Sequence, residues 1–203
     1  MSRAHVRDAY SRRADEYIQA VGSMEHVHRD DLDLVLEMAK LADGLILDAG
    51  CGPGQWTNFL QEHGAEVLGV DLVPAFVECA RERFPRVPFT EGNLEDLQMP
   101  DGSVAGILSW YSIIHTDPAD VGRILREFAR CLKPGGYLVT GFFEGARLED
   151  FDHQVVTAYR WPVRELSGEL EDAGFTVHGV HTRTDPGRRP HGAILARRNV
   201  GDN

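Results

Sequence analysis

A short apolar run, Leu45-Ile46-Leu47, ends at Asp48 and breaks into glycines at 50, 52 and 54, and an amphipathic stretch containing Trp56 follows directly. Few structures accommodate that order: a buried strand, a tight turn in which glycine supplies the backbone freedom, and the start of a helix. Backbone N–H groups in such a turn can come close to a bound ligand. A second apolar stretch, Val67-Leu68-Gly69-Val70, ends in Asp71, nineteen residues beyond Gly52. A carboxylate at that distance can accept hydrogen bonds from two ribose hydroxyls. Together the two segments predict a strand–helix–strand unit built to hold a nucleoside.

Strand and helix patterns alternate from there on. Val87–Thr90, Val104–Ser109 and Tyr137–Phe143 read as further strands. Between the last two, Val121, Ile124, Leu125, Phe128 and Leu132 recur at helical spacing, and that helix is expected to stop at Lys133-Pro134-Gly135-Gly136. Such alternation predicts a parallel sheet with helices on both faces and a ligand at the carboxyl ends of the strands. Asp48, Asp71, Asn93 and Ser109 all fall just past apolar strand segments, at that edge. Ahead of residue 44 the pattern is helical, over Val6–Ala20 and again from Leu32 to Ala39. Behind residue 143 a loop is expected to reach Pro162, followed by a helix carrying Leu166 and Leu170. Two closing strands, Phe175–His181 and Ala193–Arg198, complete the chain around Asp185-Pro186-Gly187.

With 203 residues and 42% hydrophobic content the chain suits one domain, which at this size buries roughly 70% of its unfolded surface. A formal net charge of −11 argues against a nucleic-acid surface, although Arg188-Arg189 and Arg197-Arg198 form small basic clusters. Cys51, Cys79 and Cys131 are dispersed and odd in number, as expected in a reducing cytoplasm. Neither a leader-like apolar segment nor a membrane-length one is visible, so a cytoplasmic protein without a membrane partner is expected. No CxxC or CxxH spacing occurs, and the pairs His26/His28 and His178/His181 lack a third ligand, so no metal site is expected.

The nicotinamide fingerprint G-x-G-x-x-G needs a third small residue, where this chain has Gln55 or Thr57, depending on the glycine from which the count starts. Its G-x-G-x-G with Asp48 at the strand end instead resembles the first motif of the class I S-adenosylmethionine-dependent methyltransferases of small-molecule type. The resemblance implies a Rossmann-like, doubly wound α/β fold with a seven-stranded, mostly parallel sheet and a final antiparallel strand. It implies an N-terminal helical lid over residues 1–43, a cofactor-binding core over 44–143, and an acceptor loop with the closing hairpin over 144–203. The implied cofactor is S-adenosyl-L-methionine, and the implied partner is a small-molecule acceptor, on a monomer or homodimer.

Residue roles follow from the same likeness. Gly50, Cys51 and Gly52 would cradle the cofactor through the backbone, Asp48 would orient the loop or the cofactor ammonium, and Asp71 would take the ribose diol. In the family the loop after strand three carries Gly-Asp-x-x-x-Leu. Here Asn93 stands in the Asp position with Leu94 behind it, and its carbonyl can still accept from an adenine amine. Trp56, Leu72, Ser109 and Trp110 complete the implied cofactor shell, Trp110 as a wall beside a sulfonium or as a core aromatic. Tyr10, Ala14 and Tyr17 match the family's Tyr-x-x-x-Ala-x-x-Tyr lid helix, or pack as one aromatic helix face. Tyr111, His115, Tyr159, Arg160 and Trp161 are the implied acceptor residues, with His115 either a general base or a residue bonded to backbone. The competing functions are a non-catalytic binder of the same cofactor and an NAD-dependent oxidoreductase.

Overall fold

A computed structural model describes residues 3–201. In chain order the elements are α1 (Arg3–Arg12), α2 (Ala14–Val21), α3 (Arg29–Leu41), β1 (Ile46–Ala49), α4 (Gln55–Glu62), β2 (Val67–Asp71), α5 (Pro74–Arg83) and β3 (Phe89–Glu91). They continue with β4 (Val104–Trp110), α6 (Pro118–Cys131), β5 (Leu132–Glu144), β6 (Glu149–Phe151), β7 (Ala158–Trp161), α7 (Val163–Asp172), β8 (Phe175–Arg183) and β9 (His191–Arg198).

Successive strand residues point to opposite faces of a sheet, and the two cores divide accordingly. Leu47, Ile107, Leu138 and Ile194 pack under α6 and α7, with Val121, Phe128, Leu166 and Leu170. Their neighbours Ile46, Leu108, Val139 and Leu195 pack on the other face against α3, α4 and α5, with Val35, Met38, Leu60 and Val77. Each such fully buried apolar side chain contributes about 1.5–3 kcal/mol. Local signals set the helix starts. The Asp117 side chain accepts from the Ala119 N–H ahead of Pro118, and Pro74 opens α5.

The main path of the sheet is β3-β2-β1-β4-β5-β9-β8, parallel except for β9, which runs antiparallel to both β5 and β8. Chain order reverses between β2-β1 and β1-β4, so a crevice opens at the carboxyl end of β1. The sheet has nine strands in all, two more than the seven expected. In place of the expected open loop after residue 143 stands the hairpin β6–β7. β7 pairs in parallel with Phe143 and Glu144 of β5, beyond the last β4 pair at Trp110 and Gly141. Ala158 and Trp161 sink their side chains into the core there, which fixes the segment as sheet.

Three further boundaries differ from expectation. The segment 133–136 belongs to β5 across a register irregularity that absorbs Pro134, so it does not end in a helix stop. The closing strands run longer and pair Arg183 with His191. The N-terminal helix breaks at Arg13, whose guanidinium donates to the Gln154 carbonyl and, at 2.9 Å, to Glu16. Tyr10 and Tyr17 therefore lie on different helices, yet their rings meet at 5.1 Å and both pack on Phe76 of α5. Among the described residues no helix is long and apolar enough to cross a membrane.

Candidate functional site

The glycine turn is tied to the end of β2. Gly50 and Cys51 both donate to the Val70 carbonyl, at 2.7 and 3.0 Å. The Gly52 N–H donates to Asp71 Oδ2 and the Val73 N–H to Asp71 Oδ1, each at 2.8 Å. Gly50 has φ +86°, and a Cβ there would lie 2.3 Å from Ser112 Cβ, so no side chain fits. A Cβ on Gly52 would meet nothing nearer than the Tyr17 ring at 3.9 Å. It would project into the cleft, leaving the turn as a backbone cradle. Each Asp71 oxygen keeps a second lone pair for a ligand hydroxyl. Burial pushes the Asp71 carboxyl up to about 6 against the pull of those backbone donors.

Asp48 lies deeper, beneath the turn. Thr57 Oγ1 donates to it at 2.6 Å, which fastens the first turn of α4 to β1, and burial pushes its carboxyl up to about 7. Both carboxyls are therefore easier to keep protonated in the folded chain than in the unfolded one. The stability that they lend is complete below the ordinary carboxyl value of 3.8 and is lost as pH rises through about 6 to 7. The melting temperature of the ligand-free protein is expected to fall between pH 5 and pH 8 by at least about 2–4 °C, and Asp48→Asn should flatten that slope in a calorimetric scan. A slope unchanged by the substitution would contradict the assignment.

The cleft holds about 970 Å³ of open space, mouth included. Asp71, Leu72, Asn93 and Leu94 line it together with Gly50, Gly52, Trp110 and Tyr111, and Tyr10 of α1 and Tyr17 of α2 border it. Asn93 Oδ1 already accepts from the Glu95 N–H at 3.1 Å, which shapes the loop and leaves one lone pair and the amide for a ligand. Ser109 does not reach the cleft. It is fully buried and shares a hydrogen bond with Ser112 at 2.7 Å, and Ser112 is the residue that lines the wall. Cys51 and Trp56 face a second, adjoining chamber, where Trp56 packs on Trp110 at 5.1 Å.

His115 is buried between α1 and the segment before β7. Its Nδ1 lies 2.8 Å from the Thr157 carbonyl, which can only accept, so Nδ1 carries the proton. Nε2 then accepts the Tyr10 hydroxyl at 2.7 Å. Burial pulls the imidazole down to about 4, and it stays neutral as a clamp joining α1 to the chain before β7.

Tyr111 borders both chambers. It follows β4 at φ +56°, a conformation that costs a bulky residue on the order of 1–3 kcal/mol. That turn carries its hydroxyl onto His191 Nδ1. His191 Nε2 lies 3.2 Å from the Asp31 carboxylate, which also takes Arg183 Nη2 at 2.6 Å. Burial pushes Asp31 up, but the His191 ring beside it and the hydrogen-bonded Arg183 outweigh that and hold the carboxyl below its ordinary value. Asp31, Arg183 and His191 come from α3, β8 and β9. They are absent from the residues that the sequence singles out, because no local spacing links them.

The expected acceptor segment lies elsewhere. Among the described residues Tyr159, Arg160 and Trp161 line neither chamber. Trp161 is 2% exposed in the core, Arg160 pairs with Glu149 at 2.9 Å over the Phe151 ring, and Tyr159 donates its backbone N–H to Ile114. Their strand pairs with β5 and β6, and that pairing turns these side chains away from the cleft. The second chamber is closed instead by Phe143, His153 and the β8–β9 turn with Arg188 and Arg189.

A family model described as "Methyltransferase domain" matches residues 46–136, the span from β1 into β5. A probable S-adenosylmethionine-dependent methyltransferase of Mycolicibacterium smegmatis is 33% identical over 140 residues, 65% of this chain and 52% of that protein. Residues 46–136 are thus similar to a methyltransferase domain, and most of the chain is similar to S-adenosylmethionine-dependent methyltransferases. It spans about half the length of several of the curated relatives that it matches. Among solved structures, a Burkholderia thailandensis 1,6-didemethyltoxoflavin-N1-methyltransferase with bound S-adenosylhomocysteine has a TM-score of 0.82 at 22% identity, covering 97% of this chain and 88% of that one. The magnesium protoporphyrin IX methyltransferase of Synechocystis has a TM-score of 0.77 at 18% identity, covering 98% and 100%. Those likenesses show the fold. The glycine cradle with its adjoining carboxylate fits an S-adenosyl group such as those two structures hold in S-adenosylhomocysteine.

Proposed function

We propose that the protein transfers a methyl group from S-adenosyl-L-methionine to a small-molecule acceptor. The observation that carries the reading is the Gly52–Asp71 hydrogen bond, set in a cleft that opens past Trp110 and Tyr111 into a second chamber. Bound S-adenosylmethionine supplies a methyl on a sulfonium, an electrophile that needs no activation by the protein. The residues then have to orient both partners and exclude water.

Gly50, Cys51 and Gly52 present backbone to the cofactor, Asp71 takes its ribose diol, and Asn93 with Leu94 and Leu72 receives the base. Trp110 and Tyr111 stand between the two chambers, where aromatic faces stabilise a cation. Tyr10 and Tyr17 roof the cleft, and His115 holds Tyr10 in place. With Nε2 engaged by that phenol, His115 acts as a base only on an acceptor that displaces it. Tyr111 offers a second outlet for a proton, through its hydroxyl to His191 and Asp31.

The test has two stages. Calorimetry with S-adenosylhomocysteine is expected to show binding, and NADH is expected not to shift the melting temperature. Labelled methyl from S-adenosylmethionine, offered with a cell extract, is then expected in the small-molecule fraction. Label confined to macromolecules would refute the acceptor class, and binding without any transfer would reduce the protein to a binder.

A further inference from the structure

We infer that the acceptor is a planar, ring-bearing acid whose carboxylate or phosphate is held by Arg188 and Arg189. The inference rests on the methyl-transfer reading only in taking the second chamber as the acceptor's seat.

The chamber is basic in a protein that is acidic. Three arginines, Arg183, Arg188 and Arg189, line it together with His26, His28 and His153, although the chain carries a net charge of −11. Its acidic groups are already engaged. Asp31 is paired with Arg183, whose guanidinium also lies 3.1 Å from Asp185 outside the chamber. Asp48, at the floor, is the carboxyl that burial holds at about 7. Among the described residues neither Arg188 nor Arg189 has an acidic partner within ion-pair distance, so their charges stand unbalanced at the rim. The Arg189 guanidinium lies over Phe151 at 5.0 Å and over Phe143 at 5.9 Å. Stacking of that kind fixes the plane and leaves the N–H edge free for a bidentate anion.

The walls supply the rest of the shape. Tyr111 meets Phe143 at 4.8 Å and Trp110 at 5.9 Å between ring centres. Aromatic rings, packed edge to face, thus run from beside the Gly50–Gly52 turn outward to the two arginines, and each offers a flat face on which a planar group can stack. A ring would lie along the aromatic faces with its acid group at the rim and its nucleophile at the turn. The overall field of the protein repels anions, so a local cation pair is needed to recruit one.

Titration of the protein saturated with S-adenosylhomocysteine tests this with three probes: 4-hydroxybenzoate, 4-hydroxyphenyl phosphate and the uncharged methyl 4-hydroxybenzoate. At least one of the two acids is expected to bind tenfold or more tightly than the ester, and to weaken with added salt. The preferred acid distinguishes carboxylate from phosphate. In the double variant Arg188→Gln, Arg189→Gln that preference should disappear while S-adenosylhomocysteine affinity stays unchanged. Acids bound no better than the ester, no acid binding at millimolar concentration, or a preference that survives in the variant would each overturn the inference. Should S-adenosylhomocysteine itself fail to bind, the cofactor reading fails, and the same three probes titrated on the ligand-free protein still decide this one.

Discussion

Asp71→Ala is expected to weaken S-adenosylhomocysteine binding by about 10- to 100-fold, the scale of 1.5–3 kcal/mol for hydrogen bonds to a charged group. The carboxylate has two tasks. Its oxygens fix the Gly52 and Val73 N–H groups at 2.8 Å each, and its remaining lone pairs face the cleft. Alanine removes the ligand contacts and also frees the glycine turn, so the loss should reach the upper part of that range. Asp71→Asn keeps one acceptor oxygen but presents an amide to the second backbone donor, and an intermediate loss is expected. Because hydroxyl donors favour the ionised carboxylate, affinity in the unsubstituted protein should rise with pH through about 6 and then level off. Calorimetry on variants verified as folded by circular dichroism checks all three points. Unchanged affinity in a folded Asp71→Ala protein would remove Asp71 from the ribose site.

Asp31→Ala is expected to destabilise the fold by about 3–5 kcal/mol, the scale for removing one partner of a buried ion pair. The carboxylate is 5% exposed and joins α3 to the β8–β9 hairpin through Arg183 and His191. Its loss leaves a half-buried guanidinium with Asp185 as its remaining acidic partner, and a buried imidazole held only by Tyr111. Since the folded carboxyl lies below its ordinary value, its contribution is present above the unfolded value and is lost as pH falls through the folded one. The difference between variant and parent should therefore shrink in acid. Denaturant unfolding at pH 7.5 and at pH 2.5, below the ordinary carboxyl value of 3.8, measures both terms. A loss under about 1 kcal/mol at pH 7.5 would mean that the pair is solvent-screened and does not hold the hairpin. Tyr111 is tied to the same cluster through His191, so the variant should also loosen the wall between the chambers.

How much of this was legible beforehand depended on where each residue's partners lie in the chain. Gly50, Gly52 and Asp71 could be read because a strand–turn–helix–strand unit brings its own ends together. The N-terminal stretch has the pattern of a single helix, and only the contact with Gln154 rewards the break at Arg13. Tyr159, Arg160 and Trp161 resemble a binding segment by composition, and pairing with β5 decided otherwise.

The sequence by itself determined the order of strands and helices, the glycine turn and the carboxylate beside it, because period, turn chemistry and capping act over a few residues. Only the tertiary structure decided that Asp31, Arg183 and His191 meet behind Tyr111, that His115 bonds Tyr10 of α1, and that Arg189 lies over Phe143 and Phe151. Those groups are 80 to 152 positions apart or sit on a turn of no fixed direction. The burial that gives them their pairings and their altered charge states exists only once the sheet has closed.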